Sequence, residues 1–194
     1  MDRKSFGGRV ELKDADRGLV EAVFATFATK DHDGDVTLPG AFEDGAPVVI
    51  SAYNHTSWQG ALPVGVGKIR TTSREALLAG SFFLDTTAGR DTFTAVKRLA
   101  EQGLGEWSYG FDAVKFSFGD FNGERVRFLE RQKVHEVSPV LLGAGIGTRT
   151  VTAKGRGDAA AVLAESRRLL GRDGGDRREL EALRRSVVAG LTSL

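Results

Sequence analysis

The sequence contains no cysteine, which excludes disulfides, thiolate nucleophiles and cysteine-based zinc sites. No apolar run approaches the roughly 20 residues that span a bilayer. The opening MDRKSFGGRVELKD has no apolar core of the kind a signal peptide carries. An excess of one charge is missing too, since 27 Lys and Arg face 26 Asp and Glu. A net charge of +1 supplies no field to gather nucleic acid or anionic membrane. The expectation is a soluble chain of the cytoplasm, or one packaged from it, with no membrane and no specific nucleic acid as partner.

Metal motifs are absent as well. There is no His-Glu-x-x-His stretch. In KDHDGDVTLPGAF, Asp31, Asp33 and Asp35 alternate like the first ligands of a calcium loop. The sixth loop position is Val36 rather than glycine, and the twelfth is Phe42 rather than glutamate. The aspartates read as the frame of a tight turn, and no metal or other cofactor is expected. A metal-dependent hydrolase using His32 and these aspartates is the rival, and a chelator separates the two.

What is present fits one ordinary domain plus a tail: 194 residues, 41% hydrophobic and 27% charged. LVEAVFATFAT and PVVISAYNH are rich in β-branched and aromatic residues. VGVGKIRTTSREALLAGSFFLD reads as two strands around a polar turn, and WSYGFDAVKFSF and ERVRFLERQKVHEVSPVLL as two more around GDFNGE. Between them, Phe93, Val96, Leu99 and Ala100 recur at helical spacing, with Gly103 as a stop. The expected fold class is mainly β with helices (α+β). Its architecture is a closed or partly open, mostly antiparallel β-barrel over residues 1–152. AKGRGDAAA then reads as a linker into a helical tail over 153–194. There Leu180, Leu183, Val187 and Leu191 form a stripe narrow enough for a partner helix.

Without cysteine, a nucleophilic enzyme needs Ser, Thr, Lys or a carboxylate, and a serine needs a base. The histidines are His32, His55 and His135. His55, in SAYNHTSWQG, lies where an apolar strand gives way to a loop, so its ring is both anchored and accessible. Ser108, in GEWSYGFDA, stands between Trp107 and Tyr109. Gly110 leaves space on the same strand face for a substrate backbone, or marks a bulge. In RQKVHEVSPV, one uninterrupted strand over 126–138 puts Glu136 on a face with Val126, Phe128 and Val134. Arg127, Arg131, Lys133 and His135 then share the other. A buried Glu136 demands a partner, either a histidine base or an arginine, and a bulge inverts the parity.

Taken together the segments resemble the prohead proteases of tailed phages, the serine proteases of capsid maturation. Asp31, Gly34, Asp35, Gly40, Ala41 and Phe42 match that family's opening stretch. Asn54 and His55 match its Asn-His pair, PVGVGKI its Pro-x-Gly stretch, Ser108, Gly110 and Phe111 its Ser-x-Gly-Phe strand, and Glu136 to Val140 its Glu-Val-Ser-x-Val. The matches run in order from about residue 20 to 142. Tyr109 departs from the family's usual Ile or Val, and LLGAGIGTRT from its Thr-x-Pro-Ala-Asn.

The resemblance implies an assemblin-like barrel related to the herpesvirus maturation proteases. It makes His55 the general base and Ser108 the nucleophile. Glu136 is the third catalytic member, with His135 as the alternative. Gly143, Gly145 and Arg149 resemble the oxyanion loop of the herpesvirus enzymes. The implied substrate and partner is a scaffolding protein or the scaffold segment of the major capsid protein, cut inside the procapsid in the host cytoplasm. Self-cleavage of the tail and self-association of the chain are further expectations. The alternative is an inactive barrel that acts in capsid assembly through its helical tail.

Overall fold

The computed structural model describes residues 18–154, and the helical tail expected further on lies outside the described residues. In chain order the elements are β1 (Leu19–Thr26), β2 (Asp35–Thr37), β3 (Pro47–Ile50), a 3-10 segment (Tyr53–Gln59), β4 (Gly65–Thr71) and β5 (Glu75–Phe82). Then follow α1 (Thr87–Glu101), β6 (Glu106–Phe121), β7 (Glu124–Val140) and β8 (Arg149–Lys154). The chain is mostly strand, as expected. The helix forms where the spacing placed it, with Phe93 and Val96 buried. Thr86 caps it by accepting the Gly89 N–H at 3.0 Å. Gly103, at φ 67°, takes the left-handed turn that stops it.

β6 and β7 form a hairpin of 16 and 17 residues. Asn122 and Gly123 turn it with φ of 54° and 83°, the left-handed pair that matches strand twist. The length of β7 organises the sheet. One of its edges pairs antiparallel with β6. The other pairs in parallel with β2 through Arg127–Leu129 and with β3 through Glu136 and Val137. From β3 the sheet continues through β4, β5 and β1 to β8.

The sheet is open, which corrects the expected barrel. Among the described residues no ladder joins β6 to β8. Side chains span that gap instead: the Trp107 N–H donates to Thr148 Oγ1 at 3.2 Å, and its indole Nε1 to Thr150 Oγ1 at 2.9 Å. A backbone donor satisfied by a threonine hydroxyl needs no neighbouring strand. β8 itself was not foreseen, and it runs through the start of the expected linker.

Two other expectations change. The strand read over Pro47–His55 stops at Ile50, and the chain turns into the 3-10 segment. Nor is 126–138 uninterrupted. Gly110 pairs with Glu136 but Phe111 with Val134, leaving His135 as an extra residue, and Glu130 is a second one. The bulge at His135 puts Val134 against the core while Glu136 faces away from it. Glu136 is therefore not on a face with Val134.

The core is aromatic at its centre. Phe24 meets Phe42 and Tyr109 edge to face at 5.3 Å each, and Phe42 meets Tyr109 at 5.4 Å. The Tyr109 phenol donates to Gln132 Oε1 at 3.1 Å. Burial pushes its pKa up from 10.0 to about 12. The folded state thus holds the phenolic proton more tightly than the unfolded chain does. Tyr109 stabilises fully below pH 10 and loses that contribution as pH rises toward 12. Melting temperature is expected to fall across this window, less steeply in Tyr109→Phe, by at most about 3 kcal/mol of stability. Parallel alkaline slopes in the two proteins would show that Tyr109 is not the titrating group.

Candidate active site

The long hairpin brings the chemistry together. Ser108 pairs with Ser138 across the β6–β7 ladder, and Gly110 with Glu136. Side chains alternate along a strand, so these positions share one face, while Tyr109 and Val137 join the core on the other. Directly opposed Cβ atoms lie about 4.5–5.5 Å apart, which sets Ser108 beside Ser138. Ser138 is fully buried and accepts the His55 N–H at 3.0 Å. One side chain thus links the strand facing Ser108 to the segment that carries His55.

The His55 ring reaches the same face. Its Nδ1 lies 2.7 Å from Glu136 Oε1, and Glu136 is 3% exposed. Glu136 and His55 are thereby brought together as expected, though through the bulge rather than through an unbroken strand. A proton on Nδ1, donated to the carboxylate, leaves the lone pair on Nε2. The Ser108 hydroxyl is half-buried and makes no hydrogen bond among the described residues. The nearby Ser51 and Ser138 hydroxyls differ, since both are buried and can donate to backbone carbonyls.

His55 holds an unusual backbone. Asn54 and His55 both adopt left-handed conformations, at φ 58° and 59°. Each costs about 1–2 kcal/mol for a residue with a side chain, somewhat less for asparagine. Hydrogen bonds around the turn offset this. Ala52 N–H donates to Ser57 Oγ at 3.1 Å, Thr56 Oγ1 donates to the Tyr53 carbonyl at 3.0 Å, and Ser138 Oγ donates to the Ala52 carbonyl at 3.2 Å. The double left-handed step is what swings the imidazole back over β7.

The other expected residues sit elsewhere. His135 Nε2 pairs with Asp112 at 2.9 Å, away from His55 Nδ1. The Gly143 N–H donates to Glu106 Oε2 at 2.7 Å. Gly145 lies by the Thr148 methyl group and the Phe24 carbonyl. Arg149 holds Glu75 at 2.9 and 3.3 Å and the Gly147 carbonyl at 3.0 Å. Asp31 accepts the N–H groups of Asp33 and Asp35 at 3.0 and 2.8 Å, and Asp35 grips Arg127 at 2.8 and 2.5 Å.

Sequence reasoning missed Trp58, whose indole Nε1 donates to Glu136 Oε1 at 3.2 Å. No local signal marked it, because the left-handed step at Asn54 and His55 breaks any regular helical spacing between His55 and Trp58. The space at Gly110 also has a different occupant from the substrate backbone expected there. A Cβ at that position would lie 2.6 Å from Glu136 Oε1 and 3.0 Å from the Trp58 ring. Gly110→Ala is expected to displace the carboxylate and slow serine labelling at least about tenfold, a loss of near 1.4 kcal/mol. An unchanged labelling rate would show that the carboxylate moves without consequence.

A serine on the strand face reached by an imidazole that a buried carboxylate orders is an arrangement suited to acyl transfer. The chain belongs to the caudovirus prohead serine proteases: the family model of that description matches residues 9–161 of 194. That family works in phage capsid maturation. The match does not extend to the herpesvirus proteases. No curated protein and no solved structure matches the chain.

Proposed function

We propose that the protein is a serine endopeptidase that cuts scaffold protein, or the scaffold segment of the capsid precursor, inside the procapsid. The observation that carries this is the 2.7 Å His55–Glu136 contact on the face that bears Ser108, in a chain of this family. His55 Nε2 takes the Ser108 proton as Oγ attacks the peptide carbonyl, then returns it to the leaving amine. Glu136 fixes the tautomer and stabilises the imidazolium. Amides between Gly143 and Thr148 receive the oxyanion, which requires the Gly143 N–H to leave Glu106. Losing one such donor typically costs about 100- to 1,000-fold. Arg149 contributes only on release from Glu75.

Incubation with the matched capsid precursor should shorten it, or its scaffold, at a few defined sites. Indiscriminate digestion of unrelated folded proteins counts against this reading. Failure of a fluorophosphonate to label Ser108 would favour an inactive scaffold-binding protein instead. Residues 153–194 are, on this reading, removed by self-cleavage. Mass spectrometry of aged wild type beside Ser108→Ala tests it, and two full-length masses would refute self-removal.

A further inference from the structure

We propose that Trp58 is a positioning residue for the His55–Glu136 pair, a role that rests on the assignment of Glu136 above. Trp58 is 61% exposed, an unusual setting for a large aromatic side chain. Yet its indole N–H reaches inward to a carboxylate that is 3% exposed. It binds the same oxygen, Oε1, that faces His55 Nδ1. Oε2 is buried with no partner among the described residues. Both hydrogen bonds of the carboxylate therefore converge on one atom. A carboxylate oxygen accepts two donors, and because the two oxygens are equivalent, what the donors fix is the plane of the group: turning it part-way breaks both bonds together. Trp58 thus makes one orientation of Glu136 preferred, and that orientation is the one aimed at His55.

Its neighbours support this reading. Gly110 has no side chain where a Cβ would meet the indole Nε1 and Cζ2 at 3.0 Å. The indole lies against this bare position of β6. On another side it meets the His135 ring edge to face at 5.8 Å. His135 is the bulged residue of β7 and is tied to Asp112 at 2.9 Å. The bulge that turns Glu136 toward His55 thereby also supplies the ring that braces Trp58. The left-handed step at Asn54 and His55 precedes the turn that carries Trp58, and both side chains reach one oxygen, Oε1.

The test is the rate at which a fluorophosphonate labels Ser108 in the full chain, measured across probe concentrations. Trp58→Phe keeps the ring and removes only the N–H. It is expected to lower the maximal labelling rate about tenfold, with the half-saturating concentration within twofold and the melting temperature unchanged. In the Glu136→Ala background, which leaves no oxygen for the indole, the same substitution should change the rate less than twofold, because Trp58 acts through that carboxylate. A Trp58→Phe protein that labels at the wild-type rate, while Glu136→Gln is impaired, overturns the proposal alone. An equal tenfold loss in both backgrounds also overturns it, since the indole would then act independently of Glu136. Wild-type labelling by Glu136→Gln itself overturns the underlying site assignment instead.

Discussion

Ser108→Ala and His55→Ala are each expected to lower proteolysis of the capsid precursor at least about 10,000-fold, while the melting temperature stays within a few degrees. Losses of this size are typical when a nucleophile or its base is removed from a working triad. Ser108 is suited to the substitution. Its hydroxyl bonds nothing among the described residues, so deleting it leaves no buried partner unsatisfied. His55→Ala removes the ring from Glu136 but keeps the backbone N–H that Ser138 accepts at 3.0 Å. The turn therefore retains its main anchor. Circular dichroism and thermal melts check the fold, and gel densitometry of the precursor checks the rate. Either variant cutting at a tenth of the wild-type rate would remove that residue from the chemistry. A double variant no slower than either single one is expected too, since the pair acts as a unit.

Much of this arrangement was legible because it depends on local chemistry. The spacing of Phe93 and Val96 and the stop at Gly103 describe α1 without tertiary information. Asn122-Gly123 turns the hairpin because both positions need positive φ, which these residues tolerate. The ordered motifs contain His55, Ser108 and Glu136, which the structure brings to one face of the β6–β7 hairpin. What escaped was set by register and by distant partners. Nothing in RQKVHEVSPV distinguishes an even strand from one with an extra residue at His135, because a bulge is fixed by the facing strand. Glu136 is buried and meets a histidine, one of the two kinds of partner its burial called for, but the premise of an unbroken strand was wrong. The 3-10 turn was hidden for a similar reason. Two successive left-handed residues are unfavourable locally and persist because Ser138, eighty-three residues on, holds the His55 N–H. β8 lacks a strong apolar pattern, and its place in the sheet comes from pairing with β1.

Glu136→Gln is expected to lower turnover about 1,000- to 10,000-fold with little change in KM, and His135→Ala to stay within about threefold of wild type. Glutamine has the shape of glutamate and can still accept from Nδ1, so any loss reports charge and tautomer rather than packing. In the proposed mechanism the charge matters most in the transition state, where His55 takes the Ser108 proton and becomes an imidazolium. A carboxylate 2.7 Å away stabilises that cation, and at 3% exposure water screens it little. In Glu136→Gln the amide can also rotate to present its NH2 group, which favours the tautomer that cannot accept the serine proton. His135 has no such position. Its partner Asp112 has a side chain 69% exposed, and exposed pairs of this kind contribute about 0–1 kcal/mol. Steady-state kinetics on the precursor separate the two residues. Near-normal turnover in Glu136→Gln, with His135→Ala inactive, would exchange their roles. Equal mild losses would mean that His55 works as a base without a third member.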